Sequence, residues 1–153
     1  MHLIKICKSA KKSASDLAGL SNSKRNKILE DLSKNLDERK EEIFNSNKRD
    51  LNKNKTLSKE LKDRLIINDK KLKDIIRSIK NVKKLNDPLN GSEEYVRKDG
   101  LEIIKKVIPI GVICAIYESR PNVTIDITSL CIKSGNVAIL RGGKESLLSL
   151  IHI

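Results

Sequence analysis

The chain has 153 residues, a formal net charge of +12 and aromatic side chains at only 2% of its positions. That length suffices for one compact domain with a buried core, and no stretch approaches the roughly 18 uninterrupted apolar residues that would span a bilayer. The opening segment MHLIKICKSAKKS holds too short an apolar run for a secretory signal, so a soluble, cytoplasmic protein is the expectation.

In chain order, the first predicted element of note runs from Ser21 to about Phe44. Ile28, Leu32, Leu36 and Ile43 recur there at helical spacing, with Ser21 or Ser23 available as a cap. LNKNKT, at Leu51 to Thr56, reads as a connection, and SKELKDRLI supplies a short helix from Ser58. A further amphipathic helix begins near Asn68 or Asp69, with Leu72, Ile75, Ile76, Ile79 and Val82 on one side, and is ended by Asp87 and Pro88. An apolar stripe at this spacing is a core face before it is a partner-binding face.

After Pro88 the period changes from helical to alternating. Tyr95–Lys98 and Leu101–Ile104 read as two strands around a two-residue turn of Asp99 and Gly100. Gly111–Tyr117 is a continuous apolar run, as for a strand covered on both faces. The loop ESRPN follows, then a helix from Val123 to Ser134 with Gly135 just past its end, then a strand over Val137–Leu140. A strand, a helix and a strand joined this closely make a parallel unit. Two parallel strands and one helix leave sheet faces and edges uncovered, so more chain or a partner is expected to complete them. The predicted fold class is therefore α/β: N-terminal helices over 1–88, a β-hairpin over 89–108, and over 109–153 the incomplete start of a Rossmann-like parallel βαβ sheet.

The positive charge lies almost wholly in the first of these segments, where residues 1–88 hold 24 basic against 13 acidic side chains. That segment is also rich in Asn, a pairing that an AT-rich coding sequence produces without selection for an anionic partner. With no aromatic stacking set and no recognised binding motif, nucleic acid is not an expected partner. Cys7, Cys114 and Cys131 show no CxxC spacing and no metal-ligand pattern, so neither a disulfide framework nor a metal site is expected.

The stretch IPIGVICAIYESRPNVTIDITSLCIKSGNVAILRGGKES, Ile108 to Ser146, closely resembles the corresponding segment of the gamma-glutamyl phosphate reductases of the aldehyde dehydrogenase superfamily. YESRPNVT, KSGN and ILRGGKE in succession carry the likeness, and KKSASDLA and SNKRDLNKN extend it to the N-terminal helices. The resemblance implies an aldehyde dehydrogenase-like fold and the NADPH-dependent reduction of L-glutamyl 5-phosphate to L-glutamate 5-semialdehyde, with phosphate released, in proline biosynthesis. It also implies that the chain covers well under half of a family member and that the nucleophilic cysteine belongs to a later segment, so that this chain alone is inactive. Cys114 in a buried strand and Cys131 on an apolar helix would then be inert small hydrophobes.

Other roles carried by the resemblance fall on the two loops that follow the strands. Asn122 is either an oxyanion donor or a helix cap. Arg120 either grips a carboxylate or phosphate of the substrate or makes a surface ion pair, with Glu118 as its partner. Arg141, Gly142, Gly143 and Lys144 stand where the cofactor ribose is held; Lys144 occupies a position where NAD-using relatives often carry Glu, which favours NADP over NAD. Gly142 and Gly143 leave the backbone open to close approach. The hairpin would pair with a neighbouring subunit, giving a homo-oligomer when full length. The competing reading is a non-catalytic remnant or interaction protein that keeps part of the fold.

Overall fold

The computed structural model describes residues 2–118 and 120–153; Ser119 of the predicted ESRPN loop lies outside the described residues. Seven helices are present among them: α1 His2–Ala18, α2 Asn22–Glu38, α3 Lys40–Lys53, α4 Lys59–Leu65, α5 Asp69–Lys84, α6 Pro121–Lys133 and α7 Leu147–His152. Four strands complete the fold: β1 Ser92–Val96, β2 Glu102–Lys106, β3 Val112–Ile116 and β4 Val137–Arg141. A short 3-10 turn, Lys144–Ser146, leads from β4 into α7.

The single helix predicted from Ser21 to Phe44 is two. Ser21 Oγ accepts from Lys24 N at 3.3 Å and caps α2 as expected, but the chain turns at Arg39, whose φ and ψ are −99° and 18°. The turn lets α2 pack on α5 and α6 while α3 packs on α7 and α4. It also carries α3 on to Lys53, so the connection predicted from Leu51 begins at Asn54. The buried face of α2 is rotated from the predicted one. Leu29 and Leu36 are buried with Arg25 and Ser33, whereas Ile28 lies at the solvent margin. α4 and α5 match their expected starts, with Ser58 and Asn68 accepting from Leu61 N and Lys71 N. Leu72, Ile75, Ile79 and Val82 of α5 join Leu29, Leu36, Ile43 and Ile125 in one core, with Ile76 at its edge.

The hairpin forms with β1 and β2 antiparallel, Val96 opposite Glu102. Its loop is longer than the two-residue turn predicted. Arg97 N donates to Leu101 O and Gly100 N to Arg97 O, each at 2.8 Å, and Gly100 has φ +88° with no non-glycine residue at positive φ among the described residues. This is a three-residue loop, Lys98 to Gly100, with Gly in the left-handed position. Asp99 instead stays at negative φ and pairs with Arg97.

β3 and β4 are parallel neighbours, Val112 opposite Val137 through Ile116 opposite Arg141, with α6 between them in the chain. α1 and α6 pack on this two-stranded sheet, yet the expectation that β3 is covered on both faces fails within this chain, since Ile116 is 78% exposed and Cys114 is exposed as well. α6 begins at Pro121, two residues before the predicted Val123, because Pro supplies a preset φ at the first helical position. Gly135 ends it as predicted, at φ +70°.

Candidate active-site cavity and cofactor turn

Parallel pairing puts the loops that leave β3 and β4 at one edge of the sheet, the carboxyl ends of both strands, where open α/β sheets collect ligands. Tyr117 N donates to Arg141 O at 3.0 Å and ties the two loops together. The predicted substrate loop, Arg120 with Asn122, and the predicted cofactor turn, Arg141 to Lys144, are therefore neighbours.

The loop after β3 is held by its backbone. Arg120 N donates to Glu118 O at 2.7 Å, Val123 N to Arg120 O at 3.0 Å, and Tyr117 and Thr124 share a hydroxyl hydrogen bond of 2.7 Å. Arg120 is the N-cap of α6 and makes no side-chain cap bond. Asn122 is the second residue of the helix rather than its cap, so the capping alternative for it falls. No ion pair joins Arg120 to Glu118 among the described residues, where Glu118 pairs with Arg64 of α4 at 3.2 Å. Arg120 and Asn122 are both exposed, and both line one cavity of about 540 Å³ where α4 and α5 meet the start of α6.

The rest of that cavity was not singled out in the sequence. Ile66, Ile67, Ile75 and Pro121 form apolar wall, and Arg64 and Lys71 add cations beside Arg120. Asp74, paired with Arg77 at 3.0 Å, and Asp126, which accepts from Ser78 Oγ at 3.0 Å, supply carboxylates. Asp126 did carry a sequence signal: it is the one charge inside the apolar run VTIDITSLCI, Val123 to Ile132. The contributions of α4 and α5 had none, since charged residues on amphipathic helices read as solvated faces.

At the cofactor turn, Arg141 and Lys144 are exposed and neither has an ion-pair partner among the described residues. Gly143 is extended and accepts from Ser146 N at 3.2 Å and Ser146 Oγ at 3.0 Å. Asn54 Nδ2 donates to Glu145 O at 3.0 Å, fixing the turn to the end of α3. The space beside Gly142 is already used: a Cβ there would lie 2.4 Å from Leu150 Cδ1 and 3.2 Å from Tyr117 Cε2. Gly142 thus lets α7 and Tyr117 close over the strand end.

The three thiols lie apart from this cavity. Cys7 and Cys114 are exposed and Cys131 is buried, where burial pushes its thiol above the usual cysteine range. None lines the Arg120–Asn122 cavity. Among the described residues no His, Cys, Asp and Glu cluster could hold a metal, and no helix is long and apolar enough to cross a membrane. Maleimide labelling of the native chain near neutral pH should modify Cys7 and Cys114 within minutes and Cys131 only after denaturation. Fast modification of all three in native buffer would contradict the packing of α6.

The chain is similar to known proteins over nearly all of its length. No family model matches the chain. The gamma-glutamyl phosphate reductase of Leptospira interrogans is 44% identical over 147 residues, 94% of this chain and 35% of the relative. The crystal structure of gamma-glutamyl phosphate reductase from Thermotoga maritima superposes with a TM-score of 0.94 at 37% identity, over 98% of this chain and 37% of that one. A putative aldehyde dehydrogenase from Bacillus subtilis, 17% identical, shares the fold with a TM-score of 0.65 over 92% of this chain and 30% of its own. The chain thus spans about a third of the length of the relatives it matches. By sequence and by structure over nearly all of its length, it is a homologue of the gamma-glutamyl phosphate reductases with the aldehyde dehydrogenase fold.

Proposed function

We propose that the chain supplies part of the substrate and cofactor sites for the NADPH-dependent reduction of L-glutamyl 5-phosphate to L-glutamate 5-semialdehyde, with release of phosphate, in cytoplasmic proline biosynthesis. The observation that carries the reading is that Arg120 and Asn122 line one cavity at the loop after β3, a loop whose Tyr117 N donates to Arg141 O at the head of the Arg141–Lys144 turn.

In this reading a thiolate attacks the acyl carbon, the carbon–oxygen bond to phosphate breaks, and phosphate leaves with the electron pair. Asn122 donates to the oxygen on which negative charge develops. Arg120 opposes the anionic end of the substrate with its guanidinium fork. The thiolate comes from outside this chain's cavity, which no cysteine lines, so the chain alone does not turn over. A dinucleotide fits the turn: two exposed cations, with no carboxylate partner among the described residues, at the carboxyl end of a parallel strand, suit a 2′-phosphate. Arg141 and Lys144 would hold that phosphate. When bound, the cofactor would supply hydride to the acyl carbon, and the carbon–sulfur bond would then break to return the thiolate and release the semialdehyde. The β1–β2 hairpin, exposed at every residue of its strands except the partly buried Ile103, would join subunits of a homo-oligomer, and neither nucleic acid nor a membrane is a partner.

The test is a chimera in which this chain replaces the corresponding segment of the Thermotoga maritima reductase, assayed by phosphate-dependent oxidation of L-glutamate 5-semialdehyde. NADPH formation should appear, with NADP preferred over NAD. Lys144→Glu should cut that preference roughly 10- to 100-fold, the worth of one charge-assisted contact. A folded chimera with no turnover would favour the non-catalytic reading, and an unchanged cofactor preference in Lys144→Glu would remove Lys144 from the site.

A further inference from the structure

Resting on the reaction just proposed, the cavity carries a more specific assignment. Its charged side chains divide by what they already touch. Arg64 is neutralised by Glu118, Asp74 by Arg77, and Lys71 Nζ donates to the carbonyl of Asp63, whose carboxylate, like Arg120, lines the cavity but is exposed. Asp126 differs from these. It is half-buried, and among the described residues its only side-chain partner is the neutral hydroxyl of Ser78. It lies in the second turn of α6, beyond the stretch in which free backbone amides and the helix dipole favour an anion. A half-buried carboxylate served by one hydroxyl is short of partners, and the missing complement is a cationic donor.

The spacing identifies which cation. Asn122 and Asp126 are four residues apart on α6, hence on one face and about 6 Å apart along its axis. In a γ-activated α-amino acid the reacting carbon and the α-nitrogen are separated by four single bonds of about 1.5 Å. A substrate laid along this face with its acyl oxygen at Asn122 brings its α-ammonium to Asp126, between the apolar walls of Ile75 and Pro121. We propose that Asp126, oriented by Ser78, is the specificity-determining residue that recognises the α-ammonium group, so that the cavity selects an α-amino acid acyl phosphate over its des-amino analogue.

Two measurements test this. In the chimera, the ratio of kcat/KM for L-glutamate 5-semialdehyde to that for 5-oxopentanoate, which lacks the amino group, should fall roughly 10- to 100-fold in Asp126→Asn. Ser78→Ala, which perturbs packing less, should move the ratio the same way by a smaller factor. In the 153-residue chain itself, calorimetry should find L-glutamate bound in preference to glutarate, and Asp126→Asn should abolish that preference. Turnover with a ratio unchanged in both variants would overturn the assignment while leaving the reaction standing. Absent turnover, an Asp126-dependent preference for L-glutamate would sustain an amino-acid site although the reaction had failed; no such preference would sink both.

Discussion

In a urea titration of the chain, Asp87→Ala should lower the unfolding free energy by about 3–5 kcal/mol, the cost of leaving a buried charge without its partner. The charge is Arg25, whose side chain is 2% exposed. Its guanidinium donates to Asp87 Oδ1 and to Leu20 O, each at 2.6 Å, while its Nε has no partner among the described residues. Asp87 also accepts from Leu89 N at 3.1 Å and so fixes the chain as it leaves α5. Its loss strands Arg25 between α2 and the segment entering the hairpin. Asp87→Asn keeps an acceptor and should cost less. The double change Arg25→Met with Asp87→Leu removes both charges together and should recover most of the loss, as apolar replacement of buried pairs often does. A midpoint for Asp87→Ala within about 1 kcal/mol of the parent would mean that Arg25 finds water or another acceptor, and that this pair does not anchor α2.

Arg25 also shows what could and could not be read in the sequence. The apolar period of α2 is visible in the sequence, but Ile28 and Leu32 suggest a different phase from that of the buried face, which includes Arg25 and Ser33 beside Leu29. A face that buries an arginine is identified only by its acceptor, here 62 residues away. The end of α6 was legible in full because Gly135 is a local signal, whereas the break at Arg39 was not, because it arises from α2 and α3 packing on different partners. At the site, the loops after β3 and β4 were legible because short motifs carry their resemblance. The α4 and α5 walls of the cavity were not, since Arg64, Asp74 and Ser78 meet Arg120 and Asn122 only through tertiary packing. The hairpin was found in place but given too short a loop: Asp-Gly is a signature of the tight turn, and the choice between two and three residues rests on strand register.

Asp50→Ala should produce the second large loss, about 2–4 kcal/mol, and should concentrate it at the C-terminal helix. Asp50 is buried on α3 and faces the first turn of α7. It accepts from Leu148 N at 3.2 Å, from Ser149 N at 2.7 Å and from Ser149 Oγ at 2.7 Å. Those amides belong to the unpaired first turn of α7, which has no capping side chain of its own. Asn47, one turn earlier on α3, completes the arrangement by donating to Leu65 O at 2.8 Å and to Ser149 Oγ at 3.1 Å, and accepting from Ile67 N at 2.8 Å. With Asp50 gone, a buried amide, a partly buried amide and a hydroxyl lose their acceptor, and a six-residue helix is too short to hold itself by propensity. Hydrogen exchange should therefore accelerate at Leu148 and Ser149 well before α5 is affected. Asn54 still holds Glu145 O at the same junction, so the loosening should stop at α7 and leave the Lys144 turn in place. Uniform acceleration across all helices would instead place Asp50 in the common core, and unchanged exchange at Leu148 would show that α7 is held by Leu150 against Tyr117 and Gly142 rather than by its buried carboxylate.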